Sequence, residues 1–244
     1  MIYKILPVLV FFLSSFSSND THLKHTTNLK HTTNSKLIAS TTKSNFEMKV
    51  EAIYSNLHSN NFALPKLESF SKALEGFYDL KEKGLIQKNV LTLIDFSLSS
   101  NIKRLWVIDL TTNTILYHSL VAHGRNTGEE FANSFSNSAQ SFKSSLGFYA
   151  TGEIYSGKHG MSLRLDGLER GVNDNARGRG VVMHAADYVS NSFVKNHNRL
   201  GRSQGCPAVP AELSKDIINT IKNKSCLFIY HPSRSAKSAS KLVS

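Results

Sequence analysis

The sequence lacks a hydrophobic run long enough to cross a membrane comfortably, which takes about 20 apolar residues. The apolar stretch near its start extends only from Ile5 to Leu13, follows the single charge of Lys4 and leads into a serine-rich segment. This arrangement is typical of a secretory signal peptide, which we predict over residues 1–18, with an uncleaved anchor as the alternative. The segment contains no cysteine, which argues against a lipid anchor. We therefore expect an exported protein with no integral membrane span in the mature chain.

Acidic residues are also scarce. The chain has 18 Asp and Glu against 29 Lys and Arg, which gives a formal net charge of +11. A basic surface attracts anions at long range, so anionic polymers of the cell envelope are the expected partners of an exported chain, and a solvated surface without a partner is the alternative. Nucleic acid is not a predicted partner, because no zinc-finger spacing, basic helix or RNA-binding signature accompanies the charge.

Cysteine is rare, with only Cys206 and Cys226 in the chain. In an oxidising compartment this even count by itself predicts a disulfide. The neighbours of Cys206 favour another role, because Gly205 precedes it and the cationic Arg199 and Arg202 lie close in sequence. Cations stabilise the thiolate, which is the nucleophilic form of cysteine. Cys206 is therefore the predicted nucleophile, and Cys226, at the start of an apolar strand, is predicted to be a buried structural residue.

The N-terminal part of the chain changes its composition twice. Residues 19–44 contain the repeat LKHTTN twice in succession and few apolar side chains, so a low-complexity tether is predicted. Over residues 45–88 a helical segment is predicted, since apolar residues recur every three or four positions after Pro65 and Gly84 stands where a helix would stop.

Residues 89–232 have the pattern of a mostly β domain, in which short runs of Val, Ile, Leu and aromatic residues alternate with Gly- and Asn-rich connections. The predicted strands are Val90–Phe96, Leu105–Leu110, Thr114–Ala122, Gly147–Thr151, Met161–Leu165, Gly180–Met183 and Leu227–Tyr230, with a hairpin at Thr111–Asn113 and a single helix at Ala211–Lys222. Many short strands with one helix predict a β-sandwich or barrel-like domain, so the chain is α+β overall with its helical N-terminal segment. Residues 233–244, rich in Ser and Lys, are predicted to be a flexible tail.

A candidate base lies upstream of the cysteine. His184 closes an apolar run, and the polar segment from Ser190 to Gly205 is long enough to fold back and bring Cys206 beside it. Cysteine catalysis needs an imidazole within hydrogen-bond reach, so His184 is the predicted base, with a purely structural histidine as the alternative. We expect the backbone carbonyl of Ala185 to orient the ring, unless Asp187 reaches it.

The glycine directly before the nucleophile permits a sharp turn that aims consecutive N–H groups at one point, as a developing oxyanion requires. The predicted oxyanion donors are the backbone N–H groups of Gly205 and Cys206, with Gln204 as a third. Pro207 has no N–H to contribute.

These residues resemble the catalytic signature of the L,D-transpeptidase family, in which a histidine precedes a loop of the form Ser/Thr-His-Gly-Cys. The resemblance runs from His184 to the loop that ends in Cys206, and it extends over about residues 90–230. The chain departs from the pattern at Gln204, where the family commonly has a second histidine, and at Ala208, where many members carry Arg or Asn.

The resemblance implies a secreted bacterial enzyme of the periplasm or cell envelope that needs no cofactor. Its thiolate, Cys206, would attack the carbonyl at the L-centre of a diamino acid in a peptidoglycan stem peptide and expel the terminal D-residue. An amine of a second stem, or water, would then resolve the thioester. The resemblance also implies susceptibility to carbapenem-type β-lactams.

Substrate contacts are predicted from charge and position. A guanidinium matches a carboxylate bidentately, so an arginine cluster that includes Arg177 could clamp stem carboxylates, although solvated loop charges are the alternative. The predicted substrate-binding residues are Ser203, Arg202, Arg199, Arg179 and His159. No metal is predicted, because Asp174 and Asp187 lack a third ligand at fixed spacing.

Three alternatives remain open from the sequence. An L,D-carboxypeptidase differs from a transpeptidase only in using water as the acceptor. A non-catalytic, basic wall-binding module would carry a disulfide between Cys206 and Cys226. A cysteine amidase or protease would cut wall peptides at another bond.

Overall fold

The computed structural model describes residues 34–234 and the side chains of residues 45–234. Contacts divide the chain into two compact units, 1–42 and 43–244, and of the first unit only the beginning of a helix is described. The predicted signal peptide lies outside the described residues, as do most of the predicted tether and most of the predicted tail.

All the described strands belong to one sheet. In chain order the elements are α1 (Asn34–Ser55), α2 (Leu67–Glu82), β1 (Val90–Asp95), β2 (Leu105–Asp109), β3 (Thr114–Ser119), β4 (Gly147–Gly157), β5 (Gly160–Gly167), β6 (Val182–Ala185), α3 (Asn191–His197), β7 (Ala208–Val209), α4 (Ala211–Ile221) and β8 (Cys226–Tyr230). The strand order is β3-β2-β1-β8-β4-β5-β6-β7, and only the β1–β8 and β6–β7 pairs are parallel.

The sheet curls until its two ends meet. β3 and β7 are its end strands, and the chain that leaves β3 forms a bridge between Ala122 and Ala208, with the Ala122 N–H donating to the Ala208 carbonyl at 2.9 Å. A second bridge joins Gly124 to Ser203. This near-closure is the predicted barrel-like form, and the prediction of a mostly β fold with an N-terminal helical segment is confirmed.

Both faces of the sheet are covered by apolar side chains. In β8, Leu227 and Ile229 point into the core that contains the isoleucines of α4, whereas Cys226, Phe228 and Tyr230 point into the core that contains α2. The alternation follows from the two-residue period of a strand. Each fully buried large apolar side chain contributes about 1.5–3 kcal/mol, so the two cores stabilise the sheet from both sides.

The predicted helix after Pro65 is α2. Phe70, Leu74 and Phe77 recur on one face of the helix and are all buried. Gly84 follows the helix with a φ of 69°, a conformation that glycine adopts without steric cost. The helix therefore ends where the sequence predicts its end.

The prediction of a single helix in this half of the chain is wrong. The connection between His184 and Cys206 contains a second helix, α3. The side chain of Ser190 accepts the Phe193 N–H at 3.2 Å and caps the start of α3, and Asn198 ends it in the left-handed conformation. No residue of α3 is buried, so the helix has no apolar periodicity that would reveal it. β7, which is two residues long, was likewise not predicted.

Close packing of α2 on the sheet gives a stability prediction. A Cβ at Gly76 would lie 2.1 Å from the ring of Phe148, which stacks on Phe228 with ring centroids 4.1 Å apart. We expect Gly76→Ala to lower the free energy of unfolding by about 1–3 kcal/mol through overpacking, despite the better helix propensity of alanine. Glu75→Ala, at an exposed position of the same helix, is the control. Urea denaturation measures both, and a Gly76→Ala variant as stable as the native chain would contradict this packing.

Candidate active site

A cleft of about 540 Å³ opens at the β6 and β7 end of the sheet. Several predicted site residues line it together, namely Cys206, His184, His159, Arg179, Arg202, Ser203 and Gln204. Among residues that the sequence did not single out, Tyr155, Lys158 and Tyr188 also line it. The fold therefore brings the predicted nucleophile and base into one cavity.

The register of β6 on β7 fixes the position of Cys206 relative to His184. The strands are parallel, with His184 opposite Ala208, and Cys206 precedes Ala208 by two positions in the chain. Cys206 accordingly lies level with Val182, whose N–H is 3.5 Å from the sulfur. The sulfur also faces the carbonyl oxygen of Gly180 at 3.7 Å. Cys206 and His184 thus lie two register positions apart along the edge of β6, and both residues line the cleft.

The ring of His184 is held at one edge and one face. Its Nδ1 lies 2.8 Å from the carbonyl oxygen of Ala185, which is the orienting contact that the sequence analysis predicts. A carbonyl can only accept, so Nδ1 carries the hydrogen and Nε2 is the basic nitrogen of the neutral ring. Nε2 makes no hydrogen bond with any described residue. The ring of His159 stacks on that of His184 with centroids 4.3 Å apart.

Ser203 holds the nucleophile loop closed. Its hydroxyl donates to the carbonyl of Cys206 at 2.6 Å and accepts the Gly205 N–H at 3.0 Å. Ser203 is buried and its hydroxyl is bonded within its own loop, so the observed role of Ser203 is to fix the loop, and its role in substrate binding stays a prediction. The Gly205 N–H is engaged as well, which corrects its prediction as an oxyanion donor. The N–H groups of Gln204 and Cys206 donate to no described residue.

The loop leaves no space for a side chain at Gly205. This residue has a φ of 120°, and a Cβ would lie 2.8 Å from the carbonyl oxygen of Lys143. The hydroxyl of Ser144 donates to the Gly205 carbonyl at 3.2 Å and accepts the Gly124 N–H at 3.0 Å. The predicted need for glycine before the nucleophile therefore has a steric cause in the neighbouring backbone.

Arg199 and Arg202 pair with a carboxylate instead of the thiol. Glu129 accepts from Arg199 Nε at 3.0 Å and from Arg202 Nη1 at 2.5 Å. Arg202 also donates to the carbonyl oxygens of Arg125 and Gly128. The prediction that these two arginines act on Cys206 is wrong, and Arg199, which does not line the cleft, is not placed to bind substrate there.

Arg179 is the cation that acts on the thiol, since its positive charge lowers the pKa of Cys206. It is not free to clamp a substrate carboxylate as predicted, because four of its donors are bonded within the chain. The acceptors are the carbonyl oxygens of Ser136 and Lys143 and the hydroxyls of Ser141 and Ser145. Arg179 therefore fastens the segment 136–145 to the wall of the cleft.

Other sequence candidates have partners elsewhere. Arg177 pairs with Glu153 and Asp166, and Asp174 accepts from Asn137 at 2.6 Å. In the part of the chain that the structure describes, no three His, Cys, Asp or Glu side chains come together as a metal site. No described helix combines the length and apolar character needed to cross a membrane.

The two cysteines are free thiols in different environments. Cys226 is fully buried in the core beside α2, and burial raises its pKa. Cys206 is partly exposed at the cleft, and burial raises its pKa above the ordinary thiol value although the Val182 N–H and Arg179 lower it. At pH 7 Cys206 is therefore a neutral thiol, although its neighbours in the sequence favour the thiolate, and the described residues contain no disulfide.

The pKa of His184 is lowered, chiefly by burial, and the neighbouring His159 lowers it further, while the bond to Ala185 opposes the shift. An imidazole whose pKa lies below its ordinary value is neutral at pH 7. The resting pair is therefore a neutral thiol and a neutral imidazole, in which Nε2 can accept a proton.

A buried polar pair beneath the nucleophile loop was not predicted as part of the site. Nη2 of the fully buried Arg104 lies 2.8 Å from Nδ1 of His123, and the guanidinium also donates to the carbonyl oxygens of Val121 and Leu98. Burial lowers the pKa of Arg104 to about 9 and that of His123 to about 4. The His123 carbonyl accepts the Ser203 N–H at 3.0 Å, so this pair supports the loop. The signal in the sequence is a charged residue directly before an apolar strand.

Known proteins include a family whose model matches this chain and several solved structures that resemble it. A family model of the L,D-transpeptidase catalytic domain matches residues 63–230. Similar solved structures include an L,D-transpeptidase from Mycobacterium smegmatis, with 12% identity, a TM-score of 0.37 and 59% of each chain covered. The helical cell shape determining protein Pgp2 from Campylobacter jejuni has 13% identity and a TM-score of 0.41 over 61% of this chain and 49% of that one. An L,D-transpeptidase from Xylanimonas cellulosilytica has 11% identity and a TM-score of 0.37 over 75% and 91% of the two chains. A search of curated proteins finds no match.

The raised pKa of Cys206 predicts the pH dependence of its alkylation. Only the thiolate reacts with iodoacetamide, so labelling at pH 7 should be slower than for an exposed cysteine and should still increase past about pH 9. Mass spectrometry of labelled protein over a pH series measures this, and the buried Cys226 should stay unlabelled.

Arg179→Gln should move the labelling curve to higher pH, because it removes the positive charge that favours the thiolate. Arg179→Lys, which keeps the charge, is the matched control. A native midpoint below about pH 8 would contradict the raised pKa of Cys206.

Proposed function

The chain belongs to the L,D-transpeptidase catalytic-domain family, and on this premise we propose that it is a cysteine acyltransferase that acts on peptidoglycan stem peptides. The observation that carries the proposal is the shared cleft of Cys206 and His184, in which Nδ1 of the base is fixed by Ala185 and Nε2 has no partner among the described residues. A thiol, a correctly protonated imidazole and unengaged backbone donors are the components of an acyl-transfer site.

Acylation begins with proton transfer in this proposal. Nε2 of His184 takes the proton of the Cys206 thiol, and the sulfur attacks the carbonyl carbon at the L-centre of the diamino acid. The bond from that carbon to the nitrogen of the terminal D-residue then breaks, and the nitrogen receives the proton from His184. The acyl group stays on Cys206 as a thioester. A neutral resting pair supports this order, because the thiolate forms only as the base accepts its proton.

The oxyanion of the tetrahedral intermediate needs donors that are fixed before the reaction. The unengaged N–H groups of Gln204 and Cys206 are the proposed donors, and they lie in a loop that Ser203 and Gly205 hold in one conformation. The charge of Arg179 supports the same anionic states, since it already lowers the pKa of the thiol.

Resolution of the thioester decides the product. Attack by the side-chain amine of a second stem would form a cross-link between two diamino acid residues. Attack by water would leave a stem shortened by one D-residue. In both reactions His184, now neutral again, can accept the proton of the attacking group.

We place this activity in the cell envelope of a bacterium, where stem peptides occur. The net charge of +11 supports that location, because anionic envelope polymers would concentrate a basic protein at their surface. Export through the predicted signal peptide is part of the proposal.

Cys206→Ala is expected to abolish the reaction. With stem tetrapeptides, the native protein should release the terminal D-residue and give dimers or tripeptides, and the variant should be slower by more than about a thousandfold because it has no nucleophile. Cys226→Ala is the control, since Cys226 lies in the core away from the cleft. Product masses measure both, and they also reveal cleavage at another bond. Native protein that leaves the stems intact, or a Cys206→Ala variant that retains activity, would refute the proposal.

His184→Ala should slow the acylation of Cys206 by a carbapenem by about 10²–10⁴-fold, because the thiol then has no base. Intact-protein mass spectrometry follows the adduct. His197→Ala, on the exposed surface of α3, is the matched control and should label at the native rate. Rapid labelling of the His184→Ala variant would remove His184 from its role as base.

A further inference from the structure

The turn between β4 and β5 lies at the edge of the cleft beside His184, the candidate base. Gly157 pairs with Gly160, which leaves Lys158 and His159 as the two residues of a tight hairpin turn. The His159 ring stacks on that of His184 at 4.3 Å, and both turn residues line the cleft. Lys158 is therefore held at the cleft edge next to the candidate base.

Lys158 differs from the arginines of the cleft in having no described partner for its charge. Arg202 is paired with Glu129 at 2.5 Å, and four donors of Arg179 are bonded within the chain. The Lys158 ammonium makes no hydrogen bond or ion pair with any described residue, and its side chain is exposed. No described Asp or Glu lines the cleft, so an anion that enters meets only positive charge.

The chemistry of the proposed reaction locates one substrate carboxylate on this side. His184 must reach the nitrogen of the leaving residue in order to protonate it. In a terminal amino acid the α-carboxylate is attached to the same carbon as that nitrogen. The carboxylate is therefore one carbon away from the nitrogen that His184 contacts, and this brings it to the end of the cleft where the hairpin turn stacks on His184.

We propose that Lys158 binds the α-carboxylate of the leaving terminal residue and makes the enzyme select donor stems that end in a free carboxylate. This inference rests on the proposed function. Lysine suits the role because its flexible stem and three donors can follow a carboxylate that departs with the leaving group. Stems whose terminal carboxyl is amidated would lose this ion pair and react more slowly.

The test compares two synthetic donor tetrapeptides, one with a C-terminal carboxylate and one with a C-terminal amide, in the acylation step of the full-length protein. We expect the native protein to prefer the acid, and Lys158→Met to lower kcat/KM for the acid by about fivefold to tenfold, mainly through KM. The amide should react equally with both proteins. Lys158→Arg should restore the preference, and Lys158→Glu should reverse it.

Lys215→Met, at an exposed position of α4, is the matched control and should behave as the native protein does. If the native protein releases the terminal residue but Lys158→Met keeps the native ratio between acid and amide, the role of Lys158 is refuted while the proposed function stands. If the native protein acts on neither peptide, the proposed function fails and the inference fails with it.

Discussion

Two backbone pairs between β6 and β7 hold the candidate site together. Ala208 stands opposite His184 in this parallel register, and on its other side it accepts a hydrogen bond from Ala122. The strand is thus fixed between β6 and the chain that leaves β3. Ala208 is fully buried, so this departure from the family pattern contributes packing at a position where both neighbours approach closely. A slip of one residue would move Cys206 by about 3.3 Å along His184 and invert the direction of its side chain.

The loop that carries Cys206 depends on polar groups that are expensive to bury. Arg104 is fully buried without an ion pair, and carbonyl oxygens and His123 take up its donors instead. With a pKa of about 9 it remains charged at neutral pH, whereas His123 remains neutral. Removal of Arg104 or His123 would leave the polar groups of the other residue buried without a hydrogen-bond partner. This would destabilise the fold by more than the pair itself stabilises it. This arrangement links the loop to the buried pair, because the Ser203 N–H donates to the backbone carbonyl of His123.

The sequence allowed the strands and α2 to be predicted because their apolar residues recur with the period of the element and end at glycine or asparagine. It did not reveal α3, none of whose residues is buried. Cys206, His184 and the Ala185 carbonyl could be proposed from local order along the chain. The partner of Arg199 and Arg202 could not, because Glu129 lies far from them in sequence and only the fold brings it near. The hydrogen bond of the Gly205 N–H, in contrast, is predictable from the sequence, because a serine side chain often accepts from the backbone N–H two residues later.

The neutral thiol of so basic a protein has a structural cause. Most of the arginines near the cleft are compensated, as Arg177 is by Glu153 and Arg202 by Glu129, and a paired charge produces little field at a distance. Burial then dominates the pKa of Cys206, and Arg179 opposes it only in part. A thiol that ionises only when an adjacent base takes its proton is protected from exchange with other thiols and from oxidation, which act on the thiolate. Under the proposed function, this protection would keep the Cys206 thiol reduced at the surface of an open cleft, while its reactivity would depend on the imidazole of His184.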